Sequence, residues 1–345
     1  MVLLLATAFL AAGANTGANL LFVLGGVLLG AVAVNAILAP LTARRVTASL
    51  HVPAALERGR AGTLELEVQP VGAGTGLRGW IEVPLPECAR PRSFAAHLDG
   101  VTEPARASAL VSFARTGAWP VERLIAESRA PFGLTSARRS LPCDATVVVL
   151  PPLRPLAPAT LEGIAAGARG GLAVARDALR WLRDHRAGDD SRSIHWRASA
   201  RRGGLVVKEY ERPGSRESLV VVDLAGAAGD DAVDAARILA ASLVADRVGA
   251  RERVGLAIAG AACCVLHPSD APERVEAARA ALARIEPAAR PGHGDLVRAC
   301  AGLLGRCRVL WVSTRTASLP PGAAGQGFLV TGDADLGAWL QEARR

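Results

Sequence analysis

The sequence predicts three structural parts: a membrane anchor, an all-β domain of the immunoglobulin-like sandwich type, and a C-terminal α/β domain. Residues 1–43 contain no charged side chain, which is typical of a membrane segment. Residues 46–152 contain short runs of alternating apolar and polar residues, the pattern of half-buried strands. From residue 218 onward, continuous apolar strands alternate with helices, which favours an open, largely parallel sheet covered on both faces.

The composition narrows the class of protein. The chain has 345 residues and a net charge of +8, and arginines interleaved with acids carry that charge, so a solvated surface is favoured over a nucleic-acid-binding one. The six cysteines contain no CxxC pair. Buried thiols in a reducing compartment are therefore expected, and neither a zinc site nor a cofactor is predicted.

The anchor is predicted as a transmembrane helical hairpin over residues 1–43. Leu20–Leu41 is 22 residues of apolar sequence, enough to cross roughly 30 Å of bilayer core. Residues 1–12 are too short for a second span, and Asn15–Asn19 is expected to form a tight turn. These first residues are either the end of a truncated first helix or a signal peptide cleaved after Ala12–Ala14. The missing basic segment favours the hairpin.

Arg44 and Arg45 follow the span directly. Positive charges concentrate on the cytoplasmic side of membrane helices. Everything downstream of these two arginines is therefore expected to lie in the cytoplasm.

The β domain is predicted over residues 46–152. Gly and Pro separate its strands at short intervals, and the segment 129–134 is expected to be a turn or packing element. The predicted strands are 63–68, 80–84, 109–113, 121–125 and 146–150.

Residues 153–217 are predicted to be a connector, and residues 218–345 an α/β domain. Its first strand ends in Asp223, at the strand end where such sheets place ligands. The predicted strands are 218–224, 253–259, 263–266, 308–314 and 327–331, and the predicted helices are 231–247, 272–285, 295–304 and 335–345.

The densest charged stretch lies inside the connector. Residues 176–217 hold eleven Lys or Arg and seven Asp or Glu, and Lys208 and Tyr210 are the only lysine and the only tyrosine of the chain. We call residues 185–211 the signature segment. Its candidate residues for partner binding or structure are Arg186, Gly188, Asp189, Asp190, Ile194, His195, Trp196, Arg202, Lys208 and Tyr210.

The signature segment, HRAGDDSRSIHWRASARRGGLVVKEYE, resembles that of the bacterial "domain of unknown function 58" family. The 15–19 turn, the 116–134 stretch and the acid-ending strand at 219–223 follow in the family's order. The resemblance implies a bacterial cell-membrane protein with cytoplasmic soluble domains. It also implies a C-terminal domain like von Willebrand factor type A and a partner that is a MoxR-type AAA+ ATPase.

The type A resemblance raises the question of Mg²⁺, which such domains bind through an Asp-x-Ser-x-Ser motif with a Thr and a second Asp from other loops. Here the first motif reads Asp223-Leu-Ala225-Gly-Ala227, the second loop reads GHGDL over 292–296, and Ser313-Thr314 follows the third strand. Asp223 is thus a degenerate metal-site position, and no metal is predicted there.

Asp189, Asp190 and His195 leave two functions open. They favour a structural or docking network in which the acids pair with arginines and Trp196 packs beneath them. The function expected is then a non-enzymatic membrane-anchored scaffold that binds a protein partner, with no nucleic acid. The alternative is a hydrolase or transferase that uses these three side chains.

Overall fold

The computed structural model describes residues 1–71, 78–99, 103–164, 179–184, 194–210, 217–224, 229–288, 293–304, 306–315 and 325–341. The chain divides into two compact units, Met1–Val149 and Leu150–Arg345. Among the described residues, the first unit has one apolar core and the second has two.

The first unit begins with two helices, α1 (Val2–Thr16) and α2 (Asn19–Arg44). Gly17 ends α1 in the left-handed conformation, with φ of 69°, a backbone geometry that favours glycine. The predicted turn is therefore present. By length and composition, α2 is able to cross a membrane, whereas α1 is shorter.

The two helices pack through small residues. A Cβ added to Gly25 would lie 2.7 Å from Cγ of Leu10, and one added to Gly13 would lie 3.1 Å from the Phe22 ring. Small residues allow the backbones of apolar helices to approach closely. α1 and α2 therefore form an antiparallel pair.

The rest of the first unit is β-rich. Its strands form two antiparallel sheets, with the orders β1-β3-β7-β5 and β2-β9-β8-β4-β6. The two sheets share one apolar core, to which Leu64 and Val111 contribute from one sheet and Ile81 and Leu124 from the other. The strands are β1 (Val46–His51), β2 (Leu56–Glu57), β3 (Ala61–Pro70), β4 (Arg78–Pro84), β5 (Ala89–Arg90), β6 (Ser93–Asp99), β7 (Ala105–Phe113), β8 (Gly117–Ser128) and β9 (Ala137–Leu150).

All five strands predicted in this region lie within observed strands. Strands β1, β2, β5 and β6 were not predicted, and β2 and β5 are only two residues long. Pairing with a neighbouring strand, rather than a local pattern, defines elements this short. The turn predicted at 129–134 is present, and it packs against α2.

The second unit contains a mixed five-stranded sheet in the order β14-β13-β12-β15-β16. Strand β14 pairs antiparallel with β13, and the other strand pairs are parallel. Its elements are β12 (Glu217–Asp223), α5 (Asp230–Gly249), β13 (Arg253–Ala259), β14 (Cys263–Ser269), α6 (Glu273–Arg284), α7 (His293–Leu304), β15 (Arg308–Ser313), β16 (Gly325–Leu329) and α8 (Asp333–Trp339).

Helices cover both faces of this sheet, as the apolar strands predicted. On one face, Val220 and Val222 of β12 share a core with α5, α6 and α8. On the other face, Leu219 and Val221 share a core with α7. Alternate residues of one strand therefore serve two different cores, which explains why β12 reads as a continuous apolar run.

One helix boundary was predicted wrongly. The sequence predicts a last helix over 335–345, but α8 ends at Trp339. Leu340 is buried and forms an antiparallel bridge with Leu156, and the Gln341 amide donates to the Pro155 carbonyl at 2.8 Å. The chain leaves the helix after Trp339 because burying Leu340 and pairing with residues 155–156 stabilises the extended conformation more than another helical turn would. Residues 342–345 lie outside the described residues.

The 153–217 segment contains secondary structure that the connector prediction did not specify. A helix, α3, is described over 158–164. Strands β10 (Leu179–Asp184) and β11 (Val206–Tyr210) pair antiparallel, and the short helix α4 (Trp196–Arg202) precedes β11.

Candidate functional site

The structure describes part of the signature segment. Ile194, His195 and Trp196 are described with their side chains. For Arg202 in α4 and for Lys208 and Tyr210 in β11, the backbone alone is described. The predicted site residues Arg186, Gly188, Asp189 and Asp190 lie outside the described residues, so their predicted roles stay predictions.

His195 is the N-cap of α4. Its ring Nδ1 accepts a hydrogen bond from the Ala198 backbone N–H at 3.2 Å. Its own backbone N–H donates to the Val206 carbonyl at 2.8 Å. An Nδ1 that accepts leaves the ring proton of a neutral imidazole on Nε2. The geometry therefore gives His195 a structural role at the start of the helix.

Ser199 connects α4 to β11. Its hydroxyl accepts from the Val206 N–H at 2.8 Å and donates to the His195 carbonyl at 3.1 Å. Ile194 is buried and forms an antiparallel bridge with Val207. These contacts hold the first turn of α4 against β11, so the IHWRAS part of the signature segment builds a defined local fold.

The opposite side of α4 is exposed. Trp196 keeps 66% of its surface accessible and Leu205 keeps 47%. Arg197 and Arg201 are also exposed. On a helix, residues separated by three or four positions are neighbours, so Arg201 lies beside Arg197. We call the exposed residues Trp196, Arg197 and Arg201 of this short helix the α4 surface.

Trp196 was expected to pack beneath a charged network of the acids and arginines. Its side chain is largely exposed, but Asp189 and Asp190 lie outside the described residues, so the predicted network stays a prediction. Arg197 and Arg201 were not among the predicted site residues. The helical spacing of Trp196, Arg197 and Arg201 was the available signal, but the helix itself was not predicted.

Asp223 lies at the carboxyl end of β12, the central strand of the sheet. It is buried, and its register neighbours are Ala259 on β13 and Ser313 on β15. Strand β12 connects through α5 to β13 on one side, and β15 lies on the other side. Asp223 therefore occupies the switch point where open α/β sheets place their ligands.

The donor groups at this edge fall short of a Mg²⁺ site. Asp223 supplies a carboxylate, and Ser313 and Thr314 are buried hydroxyl residues. The Ser313 hydroxyl already accepts from the Arg315 N–H at 3.1 Å, and Ala225 and Ala227 carry no oxygen in their side chains. Within the described part of the chain, no three His, Cys, Asp or Glu side chains group in a way that could hold a metal. The absence of a metal stays a prediction.

An exposed tryptophan on the same short helix as two exposed arginines is suited to binding an acidic protein surface. Tryptophan and arginine are enriched among residues that dominate binding energy in protein interfaces. The fold and this surface together define a protein with an apolar helical N-terminus, a β-rich region and a C-terminal mixed α/β sheet.

Comparison with known families agrees with the sequence resemblance. Residues 182–309 match the family described as "Protein of unknown function DUF58". The chain therefore contains a DUF58 family domain, which includes α4, Asp223 and the strands β11 to β14. No curated protein matches the sequence.

Proposed function

We propose that this protein is a membrane-anchored, non-enzymatic scaffold whose cytoplasmic DUF58 domain binds a protein partner through the α4 surface. The observation that carries the proposal is the exposure of Trp196, Arg197 and Arg201 on the same short helix. The same helix is held in place by His195 and Ser199, which supplies the rigid support that a binding surface needs.

The partner we propose is a MoxR-type AAA+ ATPase. The resemblance of the signature segment to its family supports this choice, and the basic character of the α4 surface favours an acidic patch on the partner. The complex would act in assembly or envelope-related maturation at the bacterial cell membrane.

The finer fold assignment belongs to the same proposal. Two antiparallel sheets with a shared core support an immunoglobulin-like sandwich. A mixed sheet with helices on both faces and an acid at its switch point supports a type A-like domain. The length and apolar composition of α2, with Arg44 and Arg45 at its end, support the anchor and the cytoplasmic orientation.

The hydrolase or transferase alternative is less well supported. His195 would be its base, yet the Nδ1 atom of that ring is engaged by the Ala198 N–H. A base in this position would have to act through Nε2 alone.

Affinity purification of the tagged, detergent-solubilised protein with mass spectrometry tests the proposal. Wild type should retain an AAA+ ATPase, and Trp196→Ala should reduce its recovery about tenfold or more, because truncating such a residue costs roughly 2 kcal/mol of binding. Leu329→Ala, an exposed apolar truncation in the same unit, is the control and should retain the partner. Equal recovery with all three proteins would contradict docking through α4.

A further inference from the structure

We propose that a groove beside the carboxyl end of α2 binds an anionic phospholipid, with the phosphate between Arg45 and Arg78 and an acyl chain along Leu38 and Leu41. This inference rests only on the membrane anchoring in the proposed function, and it is independent of the α4 surface.

The groove has a volume of about 190 Å³ and combines two kinds of wall. Its apolar wall comes from Leu38 and Leu41 of α2 and from Ala130 and Pro131 of the turn after β8. Its basic wall comes from Arg45 and Arg78. Along α2, Arg45 follows Leu38 by seven residues, about 10 Å. The charged end of the groove therefore lies at the carboxyl end of α2, where the apolar span ends. The apolar end of the groove lies closer to the middle of α2.

The turn lies alongside α2 rather than beyond its end. The Asn35 side chain is fully buried; its Nδ2 donates to the Thr135 carbonyl at 2.8 Å, and its Oδ1 accepts from the Phe132 N–H at 2.8 Å. Asn35 precedes Arg44 by nine residues, about 14 Å along the helix. If α2 crosses the bilayer, this turn reaches past the headgroups into the upper acyl region, where no water would satisfy a polar side chain.

The exposed surface of the turn suits that depth. Phe132 keeps 59% of its surface accessible, and an exposed apolar ring of this kind can insert into the apolar side of a membrane interface. The Thr42 hydroxyl, which also lines the groove, is already bonded to the Leu38 and Ala39 carbonyls and to the Ser128 hydroxyl. The side chains of Asn35 and Thr42 are thus hydrogen-bonded within the protein, and the two arginines are the charged groups of the groove that can recognise a ligand.

The charges favour a phosphate. Arg45 is exposed, and Arg78 pairs with Asp99 at 3.5 Å in a contact that is exposed on both sides. Exposed pairs of this kind contribute little, so a phosphate can compete for the guanidinium. The neighbouring acid Glu127 is buried and paired with Arg129 and Arg138. A soluble phosphate would pair with the arginines but leave the apolar wall exposed to water. A phospholipid would pair with the arginines through its phosphate and cover the apolar wall with an acyl chain.

Native mass spectrometry of the full-length protein released from nanodiscs tests the site. The nanodiscs contain phosphatidylcholine alone or phosphatidylcholine mixed with phosphatidylglycerol. The wild type should retain phosphatidylglycerol selectively, and an excess of inorganic phosphate should not displace it. The double variant Arg45→Gln/Arg78→Gln should retain roughly thirtyfold less, since each arginine at an anionic surface contributes about 1 kcal/mol.

Arg60→Gln/Arg92→Gln is the matched control, since both arginines are exposed and the same charge is removed. Arg60 precedes β3, whose far end pairs with β1 directly after α2, so it lies about 30 Å from the groove. Any of three results would overturn the site: equal retention of phosphatidylglycerol by the two double variants, displacement of the lipid by inorganic phosphate, or equal retention of both lipids by the wild type. Failure of every protein to enter nanodiscs would instead overturn the anchoring on which the site rests.

Discussion

His195 and Trp196 are adjacent in the chain and perform opposite tasks. The His195 ring accepts from the backbone of the helix that it begins, whereas the Trp196 ring leaves 66% of its surface to water. Burying a side chain of this size would stabilise the fold by a few kcal/mol. Since the protein does not bury it, the free energy remains available for binding a partner.

The His195 assignment predicts a stability effect. His195→Ala removes the side-chain acceptor of the Ala198 N–H and leaves only its 2.9 Å bond to the His195 carbonyl. We therefore expect the first turn of α4 to lose about 0.5–1 kcal/mol of local stability. Hydrogen exchange of the α4 amides measures this loss. His195→Asn should restore protection, because an asparagine side chain also caps a helix.

The two substitutions also separate structure from catalysis. If partner recovery and α4 protection both return with asparagine, the imidazole is needed only as an acceptor. If asparagine is as damaging as alanine, the ring itself has a function, and the hydrolase or transferase alternative gains support.

At the scale of elements, the pairing of α1 with α2 depends on single glycines. Gly25 faces Leu10, while Gly26, the next residue, has open space around the position of a Cβ. Both glycines are in the same helix and have the same propensity cost, so only the contact with α1 distinguishes them.

Gly25→Leu should therefore destabilise the helix pair, and Gly26→Leu should not. Forcing a side chain into a closely packed contact costs about 1–3 kcal/mol. Thermal unfolding in detergent should show a lower midpoint for Gly25→Leu alone. Equal midpoints for the two variants would mean that α1 does not pack on α2 through this residue.

At the scale of the whole molecule, all six cysteines follow α2 in sequence. Cys263 is exposed, while Cys300 and Cys307 are buried. Burial raises the pKa of Cys300 and of Cys307 to about 11. At pH 7 about one such thiol in ten thousand is ionised, so these two thiols should react slowly.

This arrangement predicts a labelling pattern for the cytoplasmic orientation. A membrane-impermeant maleimide should label no cysteine of the protein in intact bacterial spheroplasts, and it should label Cys263 after lysis. Cys263→Ser should reduce the labelling that follows lysis, and the partly exposed Cys88, Cys143 and Cys264 should account for the remainder. Labelling of Cys263 in intact spheroplasts would place the DUF58 domain outside the cytoplasm and contradict the proposed topology.

Much of the strand and helix content followed from local pattern. Each of these elements has a recognisable local pattern of apolar residues: a long apolar run in α2, alternation in the strands of the first unit, and short apolar runs in the strands of the second. Most of them were predicted within a few residues. The end of α8 was not, because Leu340 leaves the helix to pair with Leu156, which is distant in sequence. A local pattern carries no information about such a partner.

For the candidate site too, some features follow from the sequence and others only from the folded structure. The sequence by itself determined which stretch is distinctive, that Asp223 ends a buried strand and that Ala225 and Ala227 lack metal-binding oxygens. Only the tertiary structure decided that Trp196 faces solvent, that His195 caps α4 and that the 129–135 turn packs beside Asn35. These facts depend on which surfaces are covered by residues far away in the chain, and burial of that kind is a property of the folded molecule rather than of any local segment.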